Sequence, residues 1–143
     1  GSNNRTAIDA ATVQEWVKEG AVEYLGVTSD VRPNIAAASC VVLPSYREGA
    51  PRTLIEAAAM ARPVIATDVP GCRAVVERDV SGFLCDVRSA DSLASAMQRF
   101  LDLPNEARAM MGRAGRAKME REFDDAIVIH AYREAIATLT EAG

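Results

Sequence analysis

The sequence predicts an α/β fold, a partial Rossmann-like domain with a mostly parallel sheet of about four strands flanked by helices. Three observations carry this. First, residues 43–71, LPSYREGAPRTLIEAAAMARPVIATDVPG, read in immediate succession as strand end, loop, helix, buried strand and turn. A helix between two apolar strands with short connections is a βαβ unit, and its crossover makes the strands parallel. Second, other short apolar runs, at 22–25 and 82–85, alternate with helical patterns along the chain. Third, 143 residues with 49% hydrophobic and 25% charged side chains suit one core rather than two.

Taken in order, residues 1–9 read as a tag remnant and a loose polar tail, opening with Gly1 and Ser2. Residues 10–19 suit a helix with Val13, Trp16 and Val17 on one face and Gly20 as its stop. Trp16 reads as a core contact rather than a stacking platform. A strand follows over 22–25, then a loop over 26–30. Pro33 sits early in the next helix, where its missing N–H costs little. That helix runs to about residue 39 and leads to a strand over 40–43, stopped by Pro44 and Ser45. A helix opens near Arg52, and a buried strand covers 63–67. The turn 68–72 enters a short helix over 73–78, and a fourth strand covers 82–85. Ser89 caps a helix with Leu93, Met97, Phe100 and Leu101 on one face. Pro104 opens another helix to about residue 123, which Gly112 and Gly115 weaken. A last helix from about Asp124 carries Val128, Tyr132, Ala135 and Leu139.

Composition narrows the function classes. A net charge of −4 argues against nucleic acid as a main partner. Fourteen of the sixteen basic residues are Arg, which favours bidentate contacts with phosphate or carboxylate. Cys40, Cys72 and Cys85 have no C-x-x-C spacing and read as reduced, cytoplasmic thiols. No apolar run reaches the length of a membrane span, and no signal peptide is visible. No aspartates have D-x-D spacing and no His/Cys/carboxylate cluster has metal spacing, so no metal is expected and no cofactor is assigned. His130 reads as structural or surface, and Met110, Met111 and Met119 as core filler. The mildly basic run 113–121 reads as a solvated face rather than a membrane contact.

The candidate chemistry lies in the central unit. Open parallel sheets bind ligands outside the carboxyl ends of their strands, and residues 46–51 sit at such an end. Glu48 lies on that loop and Glu56 about a turn into the helix. Between them the helix start offers unpaired N–H groups and the positive end of the macrodipole, a setting for phosphate. Ribose hydroxyls, diphosphate and sugar hydroxyls of a nucleotide-sugar have the complementary layout. By spacing alone, the two acids fit a solvated loop and a helix surface as well.

The wider pattern is more specific. Pro44, Ser45, Glu48, Gly49, Pro51, Glu56, Ala57, Ala59, the run from Pro63 to Asp68, and Gly71 resemble the signature of family 4 (group 1) retaining glycosyltransferases, which have the GT-B fold. The likeness runs from about Val22 to Tyr132 and is most similar to the branch building bacterial surface polysaccharides and lipid-linked glycans. It implies that this chain is the later part of the donor-binding domain, residues 10–143, without the N-terminal acceptor domain and the first two strands. It also implies a UDP-sugar donor, a glycan or lipid-linked acceptor, metal-independent retaining transfer, and a cytoplasmic setting peripheral to the membrane. Glu48 would be catalytic, contacting the donor sugar, and Glu56 would hold the ribose hydroxyls. Gly49, Ala50, Pro51, Arg52, Thr53, Leu54 and Gly71 would complete the nucleotide site. A GT-B sugar-nucleotide epimerase and a non-catalytic nucleotide-sugar binding module stay open as alternatives.

Departures from the pattern matter too. Ala61 replaces the usual glycine before Pro63, which is tolerable if the backbone there stays helical. Pro70 and Ala74 replace a usual glycine and glutamate. The family's Arg and Lys phosphate ligands would lie on the missing strands, so the chain alone is expected to bind nucleotide weakly and not to turn over. Strand 22–25 would lack a neighbour, and strand 40–43 would expose an apolar edge, so either 22–25 moves beside 40–43 or a second copy covers the edge, and a homodimer is the favoured expectation.

Overall fold

The computed structural model describes residues 8–47 and 49–124. They fall into two compact units, divided after Val31.

The first unit holds one helix, α1 (Ala10–Lys18). Asp9 caps it, accepting from the Thr12 amide at 2.8 Å. Gly20 ends it at φ 74°. The Gly20 and Ala21 amides close back on the Val17 and Trp16 carbonyls, a full Schellman cap. No residue of α1 is buried, and Trp16 is 37% exposed, against the expectation of a core contact. A stretch this short has too little apolar surface to enclose a core of its own. Residues 22–25 form no strand, a correction to the predicted four-stranded sheet. Val22, Tyr24 and Leu25 are exposed. An extended segment without a neighbour to share its N–H and C=O groups makes no ladder.

The second unit is an α/β layer structure. Its elements are α2 (Arg32–Ala37), β1 (Val41–Leu43), α3 (Arg52–Ala59), β2 (Val64–Thr67), α4 (Pro70–Val75), β3 (Gly82–Cys85), α5 (Ala90–Asp102) and α6 (Asn105–Glu122). The strands form one parallel sheet in the order β1-β2-β3. Val42 pairs with Ile65, and Ile65 with Phe83. Leu43, Thr67 and Cys85 therefore end at the same edge of the sheet. Alternation divides the core. Val64, Ala66 and Leu84 face a cluster with Leu54, Ala57, Ala58, Cys72, Val75 and Met119 of α3, α4 and α6. Ile65, Phe83 and Cys85 face Ala96 and Phe100 of α5 and Met111 of α6. Every residue of β2 and β3 is buried, as two covered faces require.

Three further expectations change. The helix predicted over 73–78 begins at Pro70, because Val69 takes an extended N-cap conformation and proline is preorganised for the first helical turn. Gly112 and Gly115 are not weak points. Both are buried, and a Cβ on Gly112 would stand 2.1 Å from the Ala61 carbonyl oxygen. The absent side chain lets α6 press against the end of α3. Finally, Ala61 is not helical but has φ 55°. Its amide and that of Arg62 bond the Ala58 and Ala57 carbonyls, each at 2.9 Å. This is the cap that ends α1, with alanine in the left-handed position that Gly20 fills there. The helix predicted from Asp124 lies outside the described residues, as does His130.

Candidate functional site at the strand ends

Three connections meet the carboxyl-terminal edge of the sheet: 44–51 after β1, 68–69 after β2 and 86–89 after β3. The first leads into α3, which begins at Arg52 with Pro51 as an extended N-cap. No side chain caps this helix. The Leu54 and Ile55 amides both reach the Pro51 carbonyl, at 3.0 and 3.1 Å. The amides of Arg52 and Thr53 precede any helical acceptor. Both residues are exposed, so the first turn presents donors and a partial positive charge to solvent. The Leu54 side chain is fully buried and anchors this turn in the core.

Glu56 and Arg52 face one another on the same helical surface. Arg52 Nε lies 3.1 Å from Glu56 Oε1, with the Arg52 side chain 92% exposed and Glu56 35% exposed. Such a pair contributes about 0–1 kcal/mol, so either group is cheaply redirected to a ligand. Gly49 and Ala50 are exposed, and Pro51 is buried. Gly71 is buried in the first turn of α4, removed from solvent by the core beneath it. Glu48 lies outside the described residues. The structure thus brings Arg52, Thr53 and Glu56 together on the exposed start of α3.

Several residues at this edge had no role in the sequence reading. The buried Thr67 donates its hydroxyl to the Ser45 carbonyl, pinning the loop after β1 to the end of β2. Asp68 accepts from Arg73 Nη1 at 2.8 Å and pairs with Arg78. The hydrogen bond from Arg73, with the charges of Arg78 and Arg73, holds its carboxyl below the ordinary 3.8 against some loss of solvation. The Arg88 guanidinium lies over the Tyr46 ring, 5.2 Å from its centroid, so the connections after β1 and β3 meet. At the opposite edge, before β1, burial pushes the Cys40 thiol up to about 12, which makes it unreactive. None of these pairings has a helical or strand spacing to reveal it. The signal available was the unusual density of Arg beside the strand ends. Among the described residues, no group of three or more His, Cys, Asp or Glu side chains gathers at metal-binding distance. Nor is any helix there long and apolar enough to cross a membrane.

A three-stranded parallel sheet with helices on both faces places the domain in the Rossmann-like class of α/β folds. Residues 1–103 match the family model for glycosyl transferases group 1, and the chain belongs to that family. It is 27% identical over 119 residues to N,N'-diacetylbacillosaminyl-diphospho-undecaprenol alpha-1,3-N-acetylgalactosaminyltransferase of Campylobacter jejuni, covering 82% of this chain and 31% of the relative. It is 38% identical over 79 residues to UDP-Gal:alpha-D-GlcNAc-diphosphoundecaprenol alpha-1,3-galactosyltransferase of Escherichia coli, covering 54% of this chain and 20% of the relative. Among solved structures, sucrose-phosphate synthase of Thermosynechococcus elongatus is 29% identical with a TM-score of 0.82, over 93% of this chain and 34% of that one. HepE of Anabaena in complex with UDP shares the fold, with a TM-score of 0.81 at 23% identity over 90% of this chain and 36% of that one. The chain spans a third or less of the length of these curated relatives.

Proposed function

We propose that this chain is the later part of the donor-binding domain of a retaining, metal-independent glycosyltransferase. Its donor is a UDP-sugar, and its acceptor is a hydroxyl of a glycan or lipid-linked sugar in bacterial surface polysaccharide synthesis. The observation that carries this reading is the uncapped, exposed first turn of α3 at the carboxyl edge of the sheet. Two relatives named for transfer onto diphospho-undecaprenol-linked sugars support the acceptor class, and the UDP-bound HepE structure supports the nucleotide.

In this reading the bond between the sugar and the diphosphate breaks, and negative charge grows on the departing phosphate. The Arg52 and Thr53 amides and the dipole of α3 stabilise that charge. Arg52 leaves Glu56 and turns to the phosphate, freeing Glu56 to accept from the ribose hydroxyls. Glu48 meets the donor sugar. The acceptor domain and further phosphate ligands come from outside this chain, so the chain alone binds UDP weakly and does not turn over. β1 ends the sheet among the described residues, and in this reading two copies of the chain pair along it; a monomer by light scattering at high concentration would refute that part.

The discriminating experiment is titration of the full-length protein with UDP. Arg52→Ala should weaken binding about tenfold and Arg47→Ala far less, since the charge-assisted contact belongs to Arg52. Equal losses would remove the assignment of Arg52.

A further inference from the structure

We propose that Arg88 is an additional ligand for the donor diphosphate, held over the strand ends by the ring of Tyr46. The inference rests on the donor-binding reading above. Arg73 and Arg78 are committed to Asp68, and Arg52, weakly paired with Glu56, already has its place at the phosphate. Arg47 is exposed, with no hydrogen bond, ion pair or ring contact among the described residues to fix it. Arg88 is different. Its guanidinium is held, but by an aromatic face 5.2 Å away, and it makes no hydrogen bond or ion pair among the described residues. The ring attracts the guanidinium as a charge, and its N–H groups find no oxygen acceptor among the described residues. A guanidinium held beside the strand ends with its donors unspent suits a bidentate oxyanion.

The backbone supports the same assignment. Arg88 has φ 58°, a left-handed conformation that favours glycine. The turn around it is tightly knit. The Asp86 amide donates to Ser92 Oγ at 2.9 Å, and the Ser92 amide donates to Ser89 Oγ at 3.1 Å. A long charged side chain therefore stands at a fixed, unfavourable position, directed across the sheet edge to the loop that runs into α3. On stability alone glycine would serve this turn better, so the side chain is retained at a cost to the fold.

That conflict supplies the test. In the full-length protein, Arg88→Gly should raise the melting temperature by a few degrees, by relieving the backbone. The same variant should bind UDP about tenfold more weakly while its binding of uridine, which has no phosphate, is unchanged. Arg88→Lys keeps the charge but not the fork and should fall between the two. Stability and UDP affinity moving in opposite directions is a result that a merely structural arginine does not give. Undiminished UDP binding by Arg88→Gly, with Arg52→Ala still weakened, would overturn the role of Arg88 and leave the donor site standing. Equal losses for UDP and uridine with a lower melting temperature would make Arg88 a structural residue and overturn the proposal. A wild-type protein that binds no UDP would overturn both readings together.

Discussion

Ala61 shows how far a single torsion reaches. A left-handed alanine costs about 1–2 kcal/mol relative to its preferred conformations, whereas glycine adopts φ 55° freely. Ala61→Gly should therefore stabilise the protein by about 1 kcal/mol in urea denaturation, with an unchanged m-value. The substitution to alanine was legible in the sequence, but its consequence was not. A residue name says nothing of φ until the Schellman cap that demands it is known. Asp68 carries the pH dependence at this scale. Its carboxyl titrates below the ordinary 3.8 because Arg73 and Arg78 favour the charged form. A depressed folded-state value means that the stabilisation is complete above the unfolded value and is lost as pH falls through the folded one. Asp68→Asn should flatten the acid limb of the stability profile below about pH 4 and leave its shape above pH 6 unchanged. An acid limb identical to that of the wild type would show that the clamp contributes nothing.

At the scale of elements, α3 and α6 explain one another. Gly112 sits mid-helix, where glycine costs about 1 kcal/mol relative to alanine. An added Cβ would gain that propensity but stand 2.1 Å from a backbone carbonyl that cannot rotate away. Overpacking of this kind costs about 1–3 kcal/mol, and at this distance the upper end applies. Gly112→Ala should therefore destabilise by about 1–2 kcal/mol net, despite its better helix propensity. A stabilising effect would mean that α6 packs less closely on α3. Helix starts at Arg52 and Ala90 were readable from turn residues, as was the Ser89 cap, whose oxygen accepts from the Ser92 amide. The glycines of α6 were misread because propensity is local, while their purpose lies in a helix far away in sequence. The start of α4 at Pro70 is hard to read from sequence because proline suits a turn and a first helical position equally.

For the whole molecule, the alternating apolar pattern was sufficient to predict a parallel α/β sheet, and β3 falls where its run of apolar residues indicated. The count of strands was not predictable in this way. Residues 22–25 have strand composition, but pairing depends on a neighbour and not on composition. The site divides similarly. The exposed helix start with Arg52 and Glu56 was visible in the motif, whereas the Thr67, Asp68 and Arg88 contacts join residues with no periodic relation. The central claim is that a donor diphosphate rests on the first turn of α3. Its most direct test is an NMR titration of this chain with millimolar UDP, following backbone amides. The account predicts that the amides of Arg52 and Thr53 shift most, and that inorganic diphosphate reproduces those shifts while uridine does not. Saturable shifts centred on another element, with the amides of α3 unmoved, would contradict it.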